Sequence, residues 1–399
     1  MENVKQNKMA DMPMKKLFWK MGLPMIISMV LQALYNVVDS IFVTNMGEQG
    51  AIANQALTLA FPIQILIIAI GVGTGIGLNT LLSKNLGENN KEQINKVAGN
   101  GIFISICIFI LFFLFGMFGS KWFISLFSAG NEEIISMGTT YLKICCCFSL
   151  GSIAYTAYER FLQATGKTNL SAIAQISGAI ANIVLDYIFI FPLNMGVAGA
   201  AWATVIGQVV SGIMVILYLR KFKTVKLTKE KLRPHPHYIG RIVSLGMAPF
   251  FNQVSMMVVQ IVMNNVLIRY GAKSSYGSDI PLACAGIITK INMIFFAINI
   301  GISQGLQPII SYNYGARKLD RVREAYLKAA ISATIISTVS FICFQLFPRQ
   351  IIGIFGSESE AYFRFAEKFF RIFLFCTFIN GLQPITANFF TAIGKANRG

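Results

Sequence analysis

Of the 399 residues 55% are apolar and only 13% charged, and the mean hydropathy is +0.61; this lies outside the range of soluble domains and places the chain in a membrane. A formal net charge of +17 would suit a nucleic-acid partner in a soluble protein. Here Lys and Arg alternate from loop to loop, so the basic excess is a topology signal and no nucleic-acid surface is expected.

Hydrophobic runs long enough to cross ~30 Å of hydrocarbon at ~1.5 Å per residue predict ten spanning helices in an all-α membrane protein. They lie near 21–45, 54–82, 99–119, 138–163, 170–192, 199–220, 242–270, 282–311, 325–347 and 361–392. The first run follows Lys15, Lys16 and Lys20 as a signal peptide would, but it is too long for an h-region and lacks an A-x-A type cleavage site, so it is expected to be retained. Basic residues gather in the N-terminal segment, after the second run (Lys84, Lys91, Lys96), after the fourth (Lys167), from Arg220 to Arg241, and after the eighth (Arg317, Lys318, Arg321, Arg323). The opposite loops hold little beyond Lys121, Lys273 and Arg349. By the positive-inside rule the N-terminus and residues 221–241 are cytoplasmic. The seven cysteines all fall in apolar runs, with Cys145, Cys146 and Cys147 consecutive, and read as small apolar residues. His235 and His237, flanking Pro236 in a basic loop, read as solvated side chains.

The chain repeats itself. "SKNLGENNKEQINK" from Ser83 matches "SYNYGARKLDRVRE" from Ser311, and "LQATGKTN" ending at Asn169 matches "FTAIGKAN" ending at Asn397, both at an offset of 228. "GLPMIISM" from Gly22 resembles "GMAPFFNQ" from Gly246, and Gly47 matches Gly271, at an offset of 224; an insertion around Ser274 to Ile280 reconciles the two. The repeat predicts two homologous parallel bundles: residues 1–220 with six helices, a cytoplasmic linker at 221–241, and residues 242–399 with four of six helices. Two helices follow "ATGKTN" in the first bundle, whereas the sequence stops soon after "AIGKAN"; a C-terminally truncated chain is the expectation.

Two carboxylates lie deep in apolar runs. Asp39 lies about 27 Å from the start of its run at Met21, Asp186 about 24 Å from Leu170, and Thr204 about 8 Å from the opposite end at Gly199, so all three share one depth. Helical spacing adds Tyr35 and Gln32 to the face of Asp39 and Asn182 to the face of Asp186. Such groups can simply glue helices together. Two carboxylates at one depth, however, cannot both stay ionised in a low dielectric without a cation or a proton. A proton or Na⁺ is therefore expected to occupy the site reversibly, with Tyr35, Asn182 and Thr204 supplying neutral oxygens.

These stretches resemble the multidrug and toxin extrusion (MATE) transporters. The resemblance covers essentially the whole chain. It rests on the duplicated layout, "GLPMIISMVLQALYNVVDS" with Pro24 and Asp39, "ANIVLDYIFIF" with Asn182 and Asp186, "GVAGAAWAT" leading to Thr204, and the paired "ATGKTN" and "AIGKAN" turns. It implies two bundles of six helices, a coupling-ion site in the first bundle at the matching aspartates with Asn182 and Thr204, possible Na⁺ there, and a first helix that bends at Pro24 with protonation. Some sodium-coupled relatives carry acidic residues on the seventh and tenth helices. Here those helices offer Gln253, Asn264, Asn265, Asn380 and Gln383 but no deep carboxylate.

Other features read more plainly. "GVGTGIG" at 71–77 lacks the Lys-Ser/Thr of a phosphate loop, and Gly71 with Gly75 reads as a close-packing face. Glu159 beside Arg160 reads as a structural ion pair. Lys290 and Gln253 are weak candidates for the substrate cavity, and the abundant Phe and Met suit an adaptable one. No nucleophile, metal-ligand set or cofactor fingerprint points to an enzyme. The expectation is a monomeric antiporter of the bacterial cytoplasmic membrane, exporting amphipathic organic cations in exchange for H⁺ or Na⁺ and needing no other cofactor. The alternative with the same architecture is a flippase for lipid-linked oligosaccharides, which should line its cavity with several Arg or Lys, where Lys290 stands nearly alone.

Overall fold

The computed structural model describes residues 8–44, 50–128, 130–220, 233–277, 279–354 and 359–396. Most of the linker at 221–241, together with Gly47 and Asn397, lies outside them. In chain order the helices are α1 (Lys8–Asp11), α2 (Met14–Thr44), α3 (Gly50–Gly87), α4 (Lys91–Leu114), α5 (Ser120–Phe127), α6 (Glu132–Cys147), α7 (Leu150–Ala164), α8 (Thr168–Ile190) and α9 (Gly196–Arg220). After the linker come α10 (Pro236–Gly271), α11 (Asp279–Gly315), α12 (Leu319–Leu346), α13 (Pro348–Gly353), α14 (Glu360–Phe373), α15 (Thr377–Asn380) and α16 (Leu382–Ala392).

Among the described residues eight helices are long and apolar enough to cross a membrane, and two bent pairs make up to ten. The fourth and tenth predicted spans are therefore each broken: α6 and α7 meet at 43°, and the α14 pair at 45°. Both breaks fall at the same place in the repeat, since Ser149 and Thr377 are equivalent positions at the offset of 228. Several helices also begin before their hydrophobic run. α2 starts at Met14, α4 at Lys91 and α12 at Leu319, adding polar turns where hydration replaces hydrocarbon. Side-chain caps fix some starts: Asn90 accepts from Gln93 N, Asn131 from Glu133 N, and Ser359 from Tyr362 N. The third span runs from Lys91 to Phe127 through a π turn at Phe115–Gly119, whose Gly116 lies against Cys146 and Cys147.

The basic loops lie at one end of the molecule, and packing differs between that end and the other. Away from it, Ile67, Phe112, Leu142, Cys146 and Ile190 form a core within the first bundle, while Ile288, Phe295, Phe344 and Phe370 form one within the second. At the basic end the cores cross between bundles. Leu78, Leu82 and Val97 pack with Ile242 and Leu245, and Met14, Leu17 and Met21 pack with Ile302, Leu306 and Val322.

Glycines bring the backbones together there. A Cβ on Gly305 would lie 2.6 Å from Gly22 Cα, one on Gly73 would lie 2.7 Å from the Gly246 carbonyl oxygen, and one on Gly77 would overlap the Ile242 carbonyl. α3 uses two glycine rows at once: Gly73 and Gly77 face α10, whereas Gly71 and Gly75 face Thr156 and Arg160 of α7, the close packing that their spacing suggested. Along α10 the buried residues are Ile242, Leu245 and Gly246 near the basic end and Gly271, with Phe251, Val258, Val259 and Val262 exposed between. The bundles are thus sealed at the basic end and part away from it.

Candidate functional site

α2 and α8 run side by side in the first bundle and carry the two deep carboxylates. Asp186 is 0% exposed and Asn182, one turn earlier on the same face, 4%. Both Asp186 carboxyl oxygens, Oδ1 of Asp39 and both amide atoms of Asn182 are buried and make no well-formed hydrogen bond, the Asn182 amide being the side-chain donor beside Asp186. The charge of Asp39 reaches Asp186, and Tyr35 lies within the field of both.

The carboxylate pair that the sequence placed at one depth is therefore also a lateral pair. α9 closes a third side, because Gly207 allows it to lie against Asn182: a Cβ there would sit 2.9 Å from Asn182 Cβ and 2.8 Å from the Gly178 carbonyl oxygen. Thr204, three residues before Gly207, is half-buried on the same helix. Gln32 accepts a hydrogen bond from Gln175 Nε2 of α8. Pro24 lies inside α2 without interrupting it.

Four oxygen-bearing residues, Asp39, Asp186, Asn182 and Tyr35, thus share one buried region whose acceptors are not used up by the protein. Orphaned carboxylate oxygens of this kind suit a proton or a small hard cation. Gln253 of α10 and Lys290 of α11 are half-buried in the second bundle, and neither acts on these carboxylates.

Other groups around the site were not read from the sequence. Gln175 falls on the Asn182 face at i−7 and was open to the same spacing argument. Gln64 Nε2 of α3 donates to the Tyr141 hydroxyl of α6 at 2.6 Å, and the field of Asp39 reaches Tyr141 and Cys145. Nothing in the spacing joins α3 to α6.

Glu159 and Arg160 need a correction. Both are buried, but they form no ion pair within 4 Å, because adjacent residues on a helix point about 100° apart. Gln163 bridges them instead. It donates to Glu159 Oε1 at 2.7 Å and accepts from Arg160 Nη1 at 2.8 Å, while Ser171 Oγ of α8 also donates to Glu159 Oε1 at 2.7 Å. Gln163 Nε2 lies 3.8 Å from the sulfur of Met25, the residue after Pro24.

The MatE family model matches residues 24–188 and 250–399. Multidrug export protein MepA of Staphylococcus saprophyticus is 25% identical over 375 residues, spanning 94% of this chain and 80% of that protein. MepA of Staphylococcus aureus strain N315 is 24% identical over 384 residues, spanning 96% and 82%. A solved structure described as the outward-facing conformation of a multidrug resistance MATE family transporter of the MOP superfamily has the same fold, with a TM-score of 0.89 at 24% identity over 100% of this chain and 87% of that one. A crystal structure of MATE in the straight conformation gives 0.89 at 24% identity, over 99% and 86%. With the family model covering most of the chain and the fold shared along its whole length, the chain belongs to the MatE family, the multidrug and toxin extrusion transporters.

Proposed function

We propose that this chain is a secondary active multidrug antiporter of the bacterial cytoplasmic membrane, exporting amphipathic organic cations in exchange for H⁺ or Na⁺. The observation that carries this reading is Asp186: fully buried, with the Asn182 amide as its side-chain donor and no cationic partner among the described residues, and within the field of Asp39. A structural carboxylate at that depth would be satisfied by donors, whereas an ion site leaves its acceptors free. Asp39 and Asp186 hold the coupling ion, Asn182, Thr204 and Tyr35 contribute neutral oxygens to it, and Gln32 orients the α2–α8 contact through Gln175.

Residues 1–220 and 242–399 act as the two moving units, joined by 221–241, and the protein works as a monomer in the bilayer. With the basic end in the cytoplasm, the parting of the bundles faces outward and exposes the second bundle's half-buried Gln253 and Lys290 to a substrate. A proton entering down ~100 mV contributes about 2.3 kcal/mol, and each pH unit about 1.4 kcal/mol more. In one-for-one exchange with a monovalent cation the electrical term cancels, so the pH difference drives export, and a second proton per cycle adds the electrical term. The drug-export name borne by MepA supports the same substrate class.

The test is dye transport in proteoliposomes under separately imposed proton and sodium gradients. Wild type is expected to move an ethidium-like cation with one of them, and Asp39→Asn with neither, at equal protein in the membrane. Gradient-driven export by Asp39→Asn near the wild-type rate would make the carboxylate mere glue, and flipping of an anionic lipid-linked sugar in place of dye export would favour the flippase. Orientation is read by labelling single cysteines at Lys229, expected to be protected, and Ser278, expected to be reached from outside; both positions lie outside the described residues.

A further inference from the structure

At the basic end a polar cavity of about 100 Å³ lies between the turn joining α3 to α4 and the start of α10, the first helix of the second bundle. Lys84 and Asn85 at the end of α3, Glu88 just after it, Gln93 of α4, and His237 and Arg241 of α10 line it. The volume is far below the ~300–1,000 Å³ of a drug-sized pocket and holds about three water volumes, so it suits one small polar group. Asn85 is only 5% exposed, yet its side chain makes no hydrogen bond among the described residues. Buried amides are rarely left so. His237 and Arg241 form no ion pair among those residues, and the one carboxylate, Glu88, lies 3.7 Å from Lys84. α10 begins here at Pro236 without a side-chain cap, which adds the positive end of a helix dipole.

The repeat shows what the same wall holds in the other bundle. At the offset of 228, Asn85 corresponds to Asn313 and Gln93 to Arg321. There Asn313 Nδ2 donates to the Met9 carbonyl at 3.2 Å, and Arg321 Nη2 donates to the Met9 and Met12 carbonyls at 3.1 and 2.8 Å. The N-terminal segment thus fills that wall with oxygen acceptors. At the offset of 224, Arg241 takes the place of Leu17, which is 1% exposed in its core, and His237 takes the place of Pro13. Lys84 stands where the second bundle has Tyr312. The first bundle therefore keeps the acceptor-binding asparagine, lacks the carbonyl that satisfies it, and adds three basic side chains around the gap. Packing alone calls for none of those charges, whereas the oxygens of an anion would satisfy them and Asn85 together.

We infer that this cavity binds a phosphate group, carried by a phospholipid headgroup or free in solution. Asn85 and Gln93 donate to its oxygens as Asn313 and Arg321 donate to those of the N-terminal segment, and Lys84 and Arg241 supply the charge. With Glu88 offsetting Lys84, Arg241 leaves an excess of one positive charge, which matches a phosphodiester. Basic pockets between helices at a membrane surface are suited to anionic headgroups. Lys84, Asn85 and Gln93 belong to the first bundle and His237 and Arg241 to a helix of the second, so the ligand ties the bundles together at their sealed end, and parting them takes the site apart. None of this rests on the antiport reading of Asp39 and Asp186.

The experiment uses the purified full chain in two arms: association of spin-labelled phosphatidylglycerol in phosphatidylcholine bilayers, and binding of radiolabelled inorganic phosphate in detergent. A saturable site for at least one probe is expected. Lipid binding alone assigns the headgroup, phosphate binding alone a free anion, and both together the phosphate group itself. Arg241→Gln, at an exposed position, should weaken binding about tenfold or more by removing charge-assisted hydrogen bonds. Lys91→Gln removes the same charge from an exposed lysine outside the cavity and should leave binding unchanged. Saturable binding of neither probe overturns the inference. So does binding that Lys91→Gln weakens as much as Arg241→Gln, which is diffuse attraction to a basic surface. Spin-label distances across the basic end should shift towards sealed bundles when the ligand is added to wild type but not to Arg241→Gln, and an unchanged wild type overturns the bridging role. No arm reads transport, so failure here is distinguishable from failure of the coupling-ion site.

Discussion

Met14, Leu17, Phe18 and Met21, in the first part of α2, are buried among Ile302, Leu306, Ile309 and Val322 of the second bundle, whereas Tyr35 and Asp39 near its far end lie with Asp186 on α8 of the first. Pro24 and Met25 lie between the two halves, where the Met25 sulfur meets Gln163 and Ser171. The difference teaches that one helix is a member of both bundles. A change at Asp39 therefore acts on the same helix that closes the basic end, with Pro24 between the two regions. α1 extends this further. Met9 is fully buried in the second bundle's core, and Arg321 caps the Met9 and Met12 carbonyls at 3.1 and 2.8 Å.

If the two halves of α2 have these separate tasks, substitutions should sort by position. The largest effect is expected from Asp186→Asn, opposite the outer half: coupled efflux falls to background while expression and folding persist, checked by transport normalised to membrane protein. Next is Gly77→Ala at the sealed end. Its methyl overlaps the Ile242 carbonyl, and overpacking of this kind costs about 1–3 kcal/mol. Spin-label distances across the basic end should shift towards parted bundles, and an unchanged distribution would separate the seal from the conformational equilibrium.

Arg321→Ala removes the side-chain donor of the Met12 carbonyl and one of the two on the Met9 carbonyl, which Asn313 Nδ2 still serves, at about 1–3 kcal/mol, and should expose the N-terminal segment to protease without abolishing dye efflux. Pro24→Ala should keep full expression and slow transport severalfold, since the outer half would then bend less readily against the inner one. The smallest effect belongs to Lys318→Ala. Its 3.9 Å pair with Asp11 is exposed, and such pairs contribute about 0–1 kcal/mol before screening. A loss of transport in that variant would mean that the α1 contact is more than a tether.

Asp39, Asp186 and Asn182 were legible because a carboxylate in an apolar run stands out by itself and helical spacing is a property of the local chain. The same local rules set the helical class, the position of the basic loops and the duplication. The sequence also showed that α3 was rich in glycine, and the Gly71 and Gly75 row was read for its packing role. The partner of the Gly73 and Gly77 row was not readable, since it lies on α10, beyond the linker.

Only the tertiary structure decided that Glu159 meets Gln163 and Ser171 in place of Arg160, and that Gln64 of α3 meets Tyr141 of α6 within the field of Asp39. Those relations depend on how helices are rotated and offset against one another. Neither quantity leaves a period in the sequence, because in lipid an apolar residue facing a neighbouring helix and one facing the bilayer are chemically alike.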